Sequence, residues 1–225
     1  MQGEDKSSNI EKYLKENEIL KKALKIFAGE QILEQVMQKK EEAFFLGGKI
    51  VQGTVYFQDI TLFKPFNNDI NQIMEANNQY LERITNNILS CGGIIDKYFG
   101  DSIIAYWLEK KNKNHAELAC ECALKCLNDI KKIKINEIEI GIGINTGNFF
   151  LGNRGSEHKI DYSIIGETVN TASRLVNLGK QFNKKVLITE STRKEIGEKF
   201  NCDEAFTTKS KENTPLSIFE IVNKE

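Results

Sequence analysis

Two aspartates stand where strand-like runs end. Asp59 closes the apolar run that begins at Thr54-Val55-Tyr56-Phe57. Asp101 sits in Phe99-Gly100-Asp101, a short turn between Ile94-Ile95-Asp96-Lys97-Tyr98 and Ser102-Ile103-Ile104-Ala105-Tyr106-Trp107. With that hairpin paired beside the first strand, two carboxylates from adjacent strand ends make a site for hard cations. Magnesium suits such a site when a polyphosphate supplies further oxygens, and two ions a few ångströms apart stabilise both attacking and leaving oxygens in phosphoryl transfer. Spacing alone leaves a plainer reading open, because an aspartate after glycine is commonly a turn residue.

A second constellation lies on a helix expected to begin near Glu167. Asn170 and Arg174 are four residues apart and so share one helix face, with Thr168, Thr171 and Ser173 around them. An arginine aimed from a helix can meet charge on a pentacoordinate phosphorus, and an asparagine can orient a sugar by hydrogen bonds. A solvated polar face is the alternative. Against it, the chain has four arginines beside 27 lysines, so an arginine here points to a use for its planar fork.

The elements that must position these groups follow from periodicity. Residues 54–60 read as a strand. Ile70, Met74, Leu81, Ile84 and Ile88 mark a long helix ending at Cys91-Gly92-Gly93, and the hairpin follows. Residues 115–132 read as a helix. Ile138, Ile140, Ile142 and Ile144 alternate with Glu139, Gly141 and Gly143 as a period-two strand, with Phe149-Phe150-Leu151 expected as its neighbour. A helix over 168–178, a strand at 186–188, a helix opened by Thr189 or Ser191 and a last strand at 218–221 complete the expected order. That order predicts an α+β fold, a sheet layered by helices.

Ahead of this core, Ile10, Tyr13, Asn17, Leu20, Leu24 and Phe27 alternate steps of three and four. Such a seam suits a short parallel coiled coil with Asn17 at an a position; an amphipathic helix folded back on its own domain fits the same spacing. After Ala28-Gly29, Ile32, Leu33, Val36 and Met37 predict a further helix before Gly47-Gly48. The expected division is a helical segment over 1–47 and a catalytic domain over 48–225.

Composition narrows the class. With 31 basic against 32 acidic residues the net charge is −1, which removes the electrostatic argument for a nucleic-acid binder. No apolar run approaches the roughly 20 residues of a membrane span. The start Met1-Gln2-Gly3-Glu4-Asp5-Lys6 lacks a secretory signal, so a cytoplasmic location is expected. The five cysteines are a poor disulfide framework. Leu118, Ala119, Cys122, Cys126 and Ile130 fall at helical spacing, which reads the clustered cysteines as small core residues rather than metal ligands.

Several motifs in order resemble the class III nucleotidyl cyclases, the adenylate and guanylate cyclase catalytic domain. They are Phe57-Gln58-Asp59-Ile60 with Phe63; Asp96-Lys97-Tyr98-Phe99-Gly100-Asp101; Gly141-Ile142-Gly143-Ile144-Asn145-Thr146-Gly147; Gly152-Asn153-Arg154-Gly155-Ser156; and Asp161 through Leu175. The resemblance runs from about Gly48 to Val222. It implies a ferredoxin-like core of the βαββαβ type with a mainly antiparallel sheet, working as a head-to-tail homodimer with sites at the interface. By resemblance, Asp59, Asp101 and the carbonyl of Ile60 in one protomer bind two Mg2+ ions, for which Mn2+ can substitute. Lys97 and Ser163 read the base, Phe63 belongs to the substrate-binding segment, and Asn170 and Arg174 are the ribose-orienting and transition-state residues, supplied with the base-reading pair by the facing protomer.

The implied reaction is attack of the ribose 3′-hydroxyl of ATP on the α-phosphate, giving 3′,5′-cyclic AMP and pyrophosphate. The base follows from hydrogen-bond complement. Lys97 donates to adenine N1 and Ser163 accepts from the adenine amino group, whereas guanine carries a proton at N1. A guanylate cyclase and a non-catalytic nucleotide-binding regulatory domain are the competing readings, and a diguanylate cyclase is disfavoured because no acidic pair follows Gly92-Gly93. Lys64-Pro65, Arg154 and the segment Glu212-Asn213-Thr214-Pro215 depart from the family pattern, and Lys209 and Lys211 compete for a triphosphate contact. The N-terminal helix resembles the linker by which cyclases receive a signal from an upstream sensor, and the sequence does not name that signal.

Overall fold

The computed structural model describes residues 2–64, 69–109, 113–132, 137–209 and 214–222, without the side chains of residues 2–8, 63, 64 and 137. The chain separates into two compact units, Met1–Gly47 with Gly152–Tyr162, and Gly48–Leu151 with Ser163–Glu225.

In the first unit, α1 (Gln2–Ala28) ends at Gly29, whose φ of 97° lies in the region that favours glycine, and α2 (Glu30–Lys39) follows at once. Lys25 and Glu30 form an ion pair across that break at 2.7 Å. A 3-10 turn at Lys40–Phe44 completes the helical segment. Asn153 ties a hairpin tip to it by donating to the carbonyls of Ala43 at 2.8 Å and Phe45 at 2.9 Å. Arg154 pairs with Asp161 at 3.2 Å across the same hairpin. Ile10, Tyr13, Leu20 and Phe27 of the α1 seam are all exposed, Phe27 at 90%.

The second unit is built on a sheet. In chain order its elements are β1 (Gly47–Lys64), α3 (Ile70–Ser90), β2 (Ile94–Phe99), β3 (Ser102–Leu108), α4 (His115–Ile130), β4 (Glu137–Ser156), β5 (Lys159–Ile165), α5 (Glu167–Phe182), β6 (Val186–Thr189), α6 (Glu190–Ile196), β7 (Cys202–Lys209) and β8 (Pro215–Ile221). Among the described residues the strand order is β2-β3-β1-β4-β6-β8-β7, with β5 paired to β4. The first four are the βαββαβ arrangement of a ferredoxin-like core, β1 running antiparallel to β3 and β3 to β2. β6 joins β4 in parallel, and β8 and β7 extend the sheet antiparallel. The expected fold class is the observed one.

The helices begin where side chains can cap them. Asp69 accepts from the amide of Asn71 at 3.0 Å to open α3, and Asn114 accepts from Ala116 and Glu117 to open α4. On one side of the sheet Tyr56, Ile103, Trp107, Ile140, Ile142 and Ile144 pack with Ile84 and Ile88 of α3 and with Cys120, Cys122 and Cys126 of α4. Those three cysteines are buried core residues, as their spacing predicts.

β4 carries isoleucine toward that core and glycine toward the opposite face. A Cβ built on Gly143 would lie 2.1 Å from the carbonyl oxygen of Ala172 and 2.8 Å from Cβ of Leu175. Backbone of α5 therefore lies directly on backbone of β4. The Ile-Gly alternation is the sequence record of this approach.

Three expectations need correction. Asp59 lies inside β1, well before its last residue Lys64: the strand lies between β3 and β4 and continues past the predicted end, although its register with β3 stops at Gln58. Phe149-Phe150-Leu151 belong to β4 itself rather than to a neighbour. The polar stretch between stays extended because its side chains are hydrogen-bonded: Asn145 Nδ2 donates to the Thr168 carbonyl at 3.1 Å, and Thr146 Oγ1 bonds Thr54 at 2.8 Å and Thr192 at 3.1 Å. β5 and β7 are strands that the periodicity does not predict. No helix among the described residues is long and apolar enough to cross a membrane.

Gly143→Ala is expected to lower unfolding stability by about 3 kcal/mol, the upper end of ordinary overpacking costs, in a urea titration. A variant as stable as the parent would show that α5 does not need its backbone contact with β4.

Candidate active site

Asp59 is reached from two directions. Its Oδ1 accepts from Ser102 Oγ at 2.8 Å, and its Oδ2 accepts from the Lys180 ammonium at 2.6 Å. Ser102 is the residue after Asp101, so pairing of β1 with β3 brings the two aspartates to one end of the hairpin, as spacing predicts. Tyr80 reports the same neighbourhood. Burial pushes its phenol well above the ordinary value, and the negative charges of Asp59 and Asp101 both add to the rise. Gln58 Nε2 donates to Tyr80 at 2.9 Å beneath the site. The Asp59 side chain is 17% exposed, Asp101 is exposed and Ile60 is buried.

This donor set fits a hard divalent cation. It offers carboxylate and carbonyl oxygen, with no group of three or more His, Cys, Asp or Glu among the described residues to complete a cage, so further ligands would come from phosphate and water. Beside it, a cavity of about 290 Å³ is lined by Thr61, Leu62, Lys180, Lys184 and Lys185 among others. Thr61 Oγ1 is buried there without a hydrogen-bond partner among the described residues. The Phe63 side chain lies outside the described residues.

Sequence reading missed Lys180. In a chain with 27 lysines no single one stands out, and its partner is 121 residues away in sequence.

Lys97 and Ser163 come together through a third residue. The β2–β3 register shifts between Ile95 and Lys97, leaving Asp96 as the extra residue of a bulge. The Asp96 side chain is 3% exposed, and its Oδ2 lies 3.1 Å from Ser163 Oγ and 3.6 Å from Lys97 Nζ. Its Oδ1 accepts from the Ile164 amide at 3.0 Å. Ser163 itself is 2% exposed.

α5 carries the remaining pair. The helix is fixed by the Asn145 contact already described and by Thr168 Oγ1, which donates to the Asn148 carbonyl at 2.6 Å. Asn170 stands exposed. Arg174 is half-buried, and its Nη2 donates to the carbonyl of Lys209 on β7 at 2.8 Å. The structure thus joins Asp59 to the Asp101 turn and Lys97 to Ser163, while Arg174 is turned toward the sheet edge. Lys211 lies outside the described residues.

Residues 49–220 match the family described as the adenylate and guanylate cyclase catalytic domain. The chain is 33% identical over 162 residues to an adenylate cyclase of Anabaena cylindrica, covering 67% of this chain and 32% of that protein. It is 29% identical over 197 residues to the terminal-differentiation specific adenylate cyclase of Dictyostelium discoideum, covering 82% of this chain and 9% of that protein. The chain therefore spans less than a third of either relative. Among solved structures, the adenylyl cyclase CyaB from P. aeruginosa is similar with a TM-score of 0.69 at 26% identity, covering 80% of this chain and 98% of that one.

Lys180→Met removes the ammonium from Asp59 without removing the carboxylate. It is expected to tighten Mn2+ binding several-fold in calorimetric titration of nucleotide-free protein, since a cation no longer has to displace a 2.6 Å ion pair. An unchanged or weaker affinity would mean that Lys180 and the metal do not compete for Asp59.

Proposed function

This chain belongs to the adenylate and guanylate cyclase catalytic domain family, and from that premise we propose that it is an adenylate cyclase, converting ATP to 3′,5′-cyclic AMP and pyrophosphate. The observation that carries the choice of base is the convergence of Lys97 Nζ and Ser163 Oγ on one oxygen of Asp96. A donor and an acceptor held side by side match the adenine edge, where N1 accepts and the 6-amino group donates. Guanine presents the reverse pattern.

Asp59, Asp101 and the Ile60 carbonyl would hold two divalent cations, which when bound acidify the ribose 3′-hydroxyl and offset charge on the triphosphate. The chain's own groups do the rest. Lys97 and Ser163 orient the base, Asn170 orients the ribose, and the 3′-hydroxyl oxygen bonds to the α-phosphorus in line with the departing pyrophosphate, its proton passing to water. Arg174 meets the charge that grows on the α-phosphate oxygens. In the proposed dimer the cation carboxylates come from one protomer, and the base-reading pair, Asn170 and Arg174 from the other, giving two sites related by the two-fold axis.

Residues 1–47 serve in this proposal as a coupling segment, with α1 pairing in parallel across the dimer. The exposure of Ile10, Tyr13, Leu20 and Phe27 supports that role, since an apolar seam on an unpartnered helix favours association.

Incubation with Mg2+ or Mn2+ and either ATP or GTP, followed by separation of nucleotides, is expected to give cyclic AMP and pyrophosphate from ATP. Absence of product from folded, dimeric protein with Mn2+ would favour the regulatory reading, and cyclic GMP as main product the guanylate reading. Asp59→Ala and Arg174→Ala proteins should each lose on the order of 10²-fold or more in activity. Mixed after subunit exchange, they should regain part of it, because one site of the heterodimer keeps both intact halves. No recovery after verified exchange would contradict the shared site.

A further inference from the structure

Asp96 is a buried carboxylate with no part in the mechanism above, yet both proposed base-reading side chains end on it. We propose that Asp96 is a positioning residue that fixes the hydrogen-bond polarity of the base pocket, making Ser163 an obligate acceptor beside the Lys97 donor and thereby selecting adenine. The proposal rests on the adenylate cyclase reading and deepens it.

The backbone sets the direction of both side chains. In a regular strand, successive side chains face opposite sides of the sheet, so Asp96 and Lys97 would diverge. The bulge at Asp96 breaks that alternation, and the Lys97 ammonium lies 3.6 Å from Asp96 Oδ2. A bulge here re-aims a side chain at the cost of a ladder position. The amide of Ile164, bonded to Asp96 Oδ1 at 3.0 Å, holds the carboxylate from the β5 side.

Proton counting does the rest. A serine hydroxyl has one proton and two lone pairs, whereas an ionised carboxylate and a backbone carbonyl only accept. Ser163 Oγ faces two such groups, Asp96 Oδ2 at 3.1 Å and the Ile164 carbonyl at 3.3 Å. Its proton is committed to one or the other, and what the oxygen can offer a ligand is a lone pair. That suits the 6-amino group of adenine and opposes the 6-oxo group of guanine. Lys97 likewise suits unprotonated N1 and opposes the guanine N1 proton. Asp96 makes the shorter of the two contacts; without it the proton keeps only the 3.3 Å contact to the Ile164 carbonyl, and the serine is freer to donate to a ligand.

Asp96→Asn is the decisive variant because it is nearly isosteric. Its carbonyl oxygen can still accept from the Ile164 amide, while its NH2 group now donates to Ser163 Oγ and leaves the hydroxyl proton only the longer contact to the Ile164 carbonyl, from which it can turn toward a ligand. Binding of 3′-deoxy-ATP and 3′-deoxy-GTP, which lack the attacking hydroxyl, is measured by calorimetry, with kcat/KM for ATP and GTP alongside.

The expected result is a shift of the ATP-to-GTP ratio toward GTP on the order of tenfold, the size of one ordinary hydrogen bond, in both binding and kcat/KM. The ratio is internal to each protein, so a general loss of folded material does not move it. Ser163→Ala should abolish the additional effect of Asp96→Asn in the double variant, since the two act through one hydroxyl. An unchanged ratio in Asp96→Asn overturns the proposal and leaves the adenylate cyclase reading standing, provided the parent prefers ATP. A parent that prefers GTP overturns both.

Discussion

The approach of α5 to β4 is the constraint on which the rest of the catalytic unit depends. Two pieces of backbone meet where Gly143 has no side chain and Ala172 offers its carbonyl, so the helix cannot shift without either a clash or a void. Its outer turns inherit that rigidity. Asn170, Arg174 and Lys180 all project from this one helix, and the placement of each is set by a contact none of them makes. Thr168 and Asn145 fasten the start of the helix to β4 by hydrogen bonds that also satisfy buried polar groups.

A chain of buried hydroxyls continues that fastening across the sheet. Thr54 on β1 bonds both His115 at the start of α4 and Thr146 on β4. Thr146 reaches Thr192 of α6, and Thr189 reaches Asn145. Apolar packing tolerates small slips, whereas a one-residue slip of β4 would leave several of these groups buried and unpaired. The polar run 145–148 therefore specifies register where the isoleucines on either side specify burial.

How much of this was legible in the sequence depended on whether the cause was local. Period-two alternation at 138–144 and the hairpin about Phe99-Gly100-Asp101 are local signals, and both appear as read. The run Asn145-Thr146-Gly147-Asn148 looks like a turn because its compensating hydrogen bonds come from elements far along the chain. β7, Cys202-Asp203-Glu204-Ala205-Phe206-Thr207-Thr208-Lys209, lies at the sheet edge with mixed polarity and no clean alternation. The proposed site residues follow the same division. Asp59, Asp101, Asn170 and Arg174 stand out by type and spacing, but Asp96 and Lys180 acquire meaning only from partners 67 and 121 residues distant.

The ion pair between Lys180 and Asp59 has a consequence for the life of the protein rather than its chemistry. Sites that depend on bound ions to cancel their own charge leave the apo chain frayed, and metal loss then becomes loss of the protein. Here one of the two carboxylates carries its counter-ion on the same chain. Under the proposed two-cation reading, starvation for divalent ions would stop turnover while leaving Asp59 still paired to Lys180, so that silence need not mean unfolding.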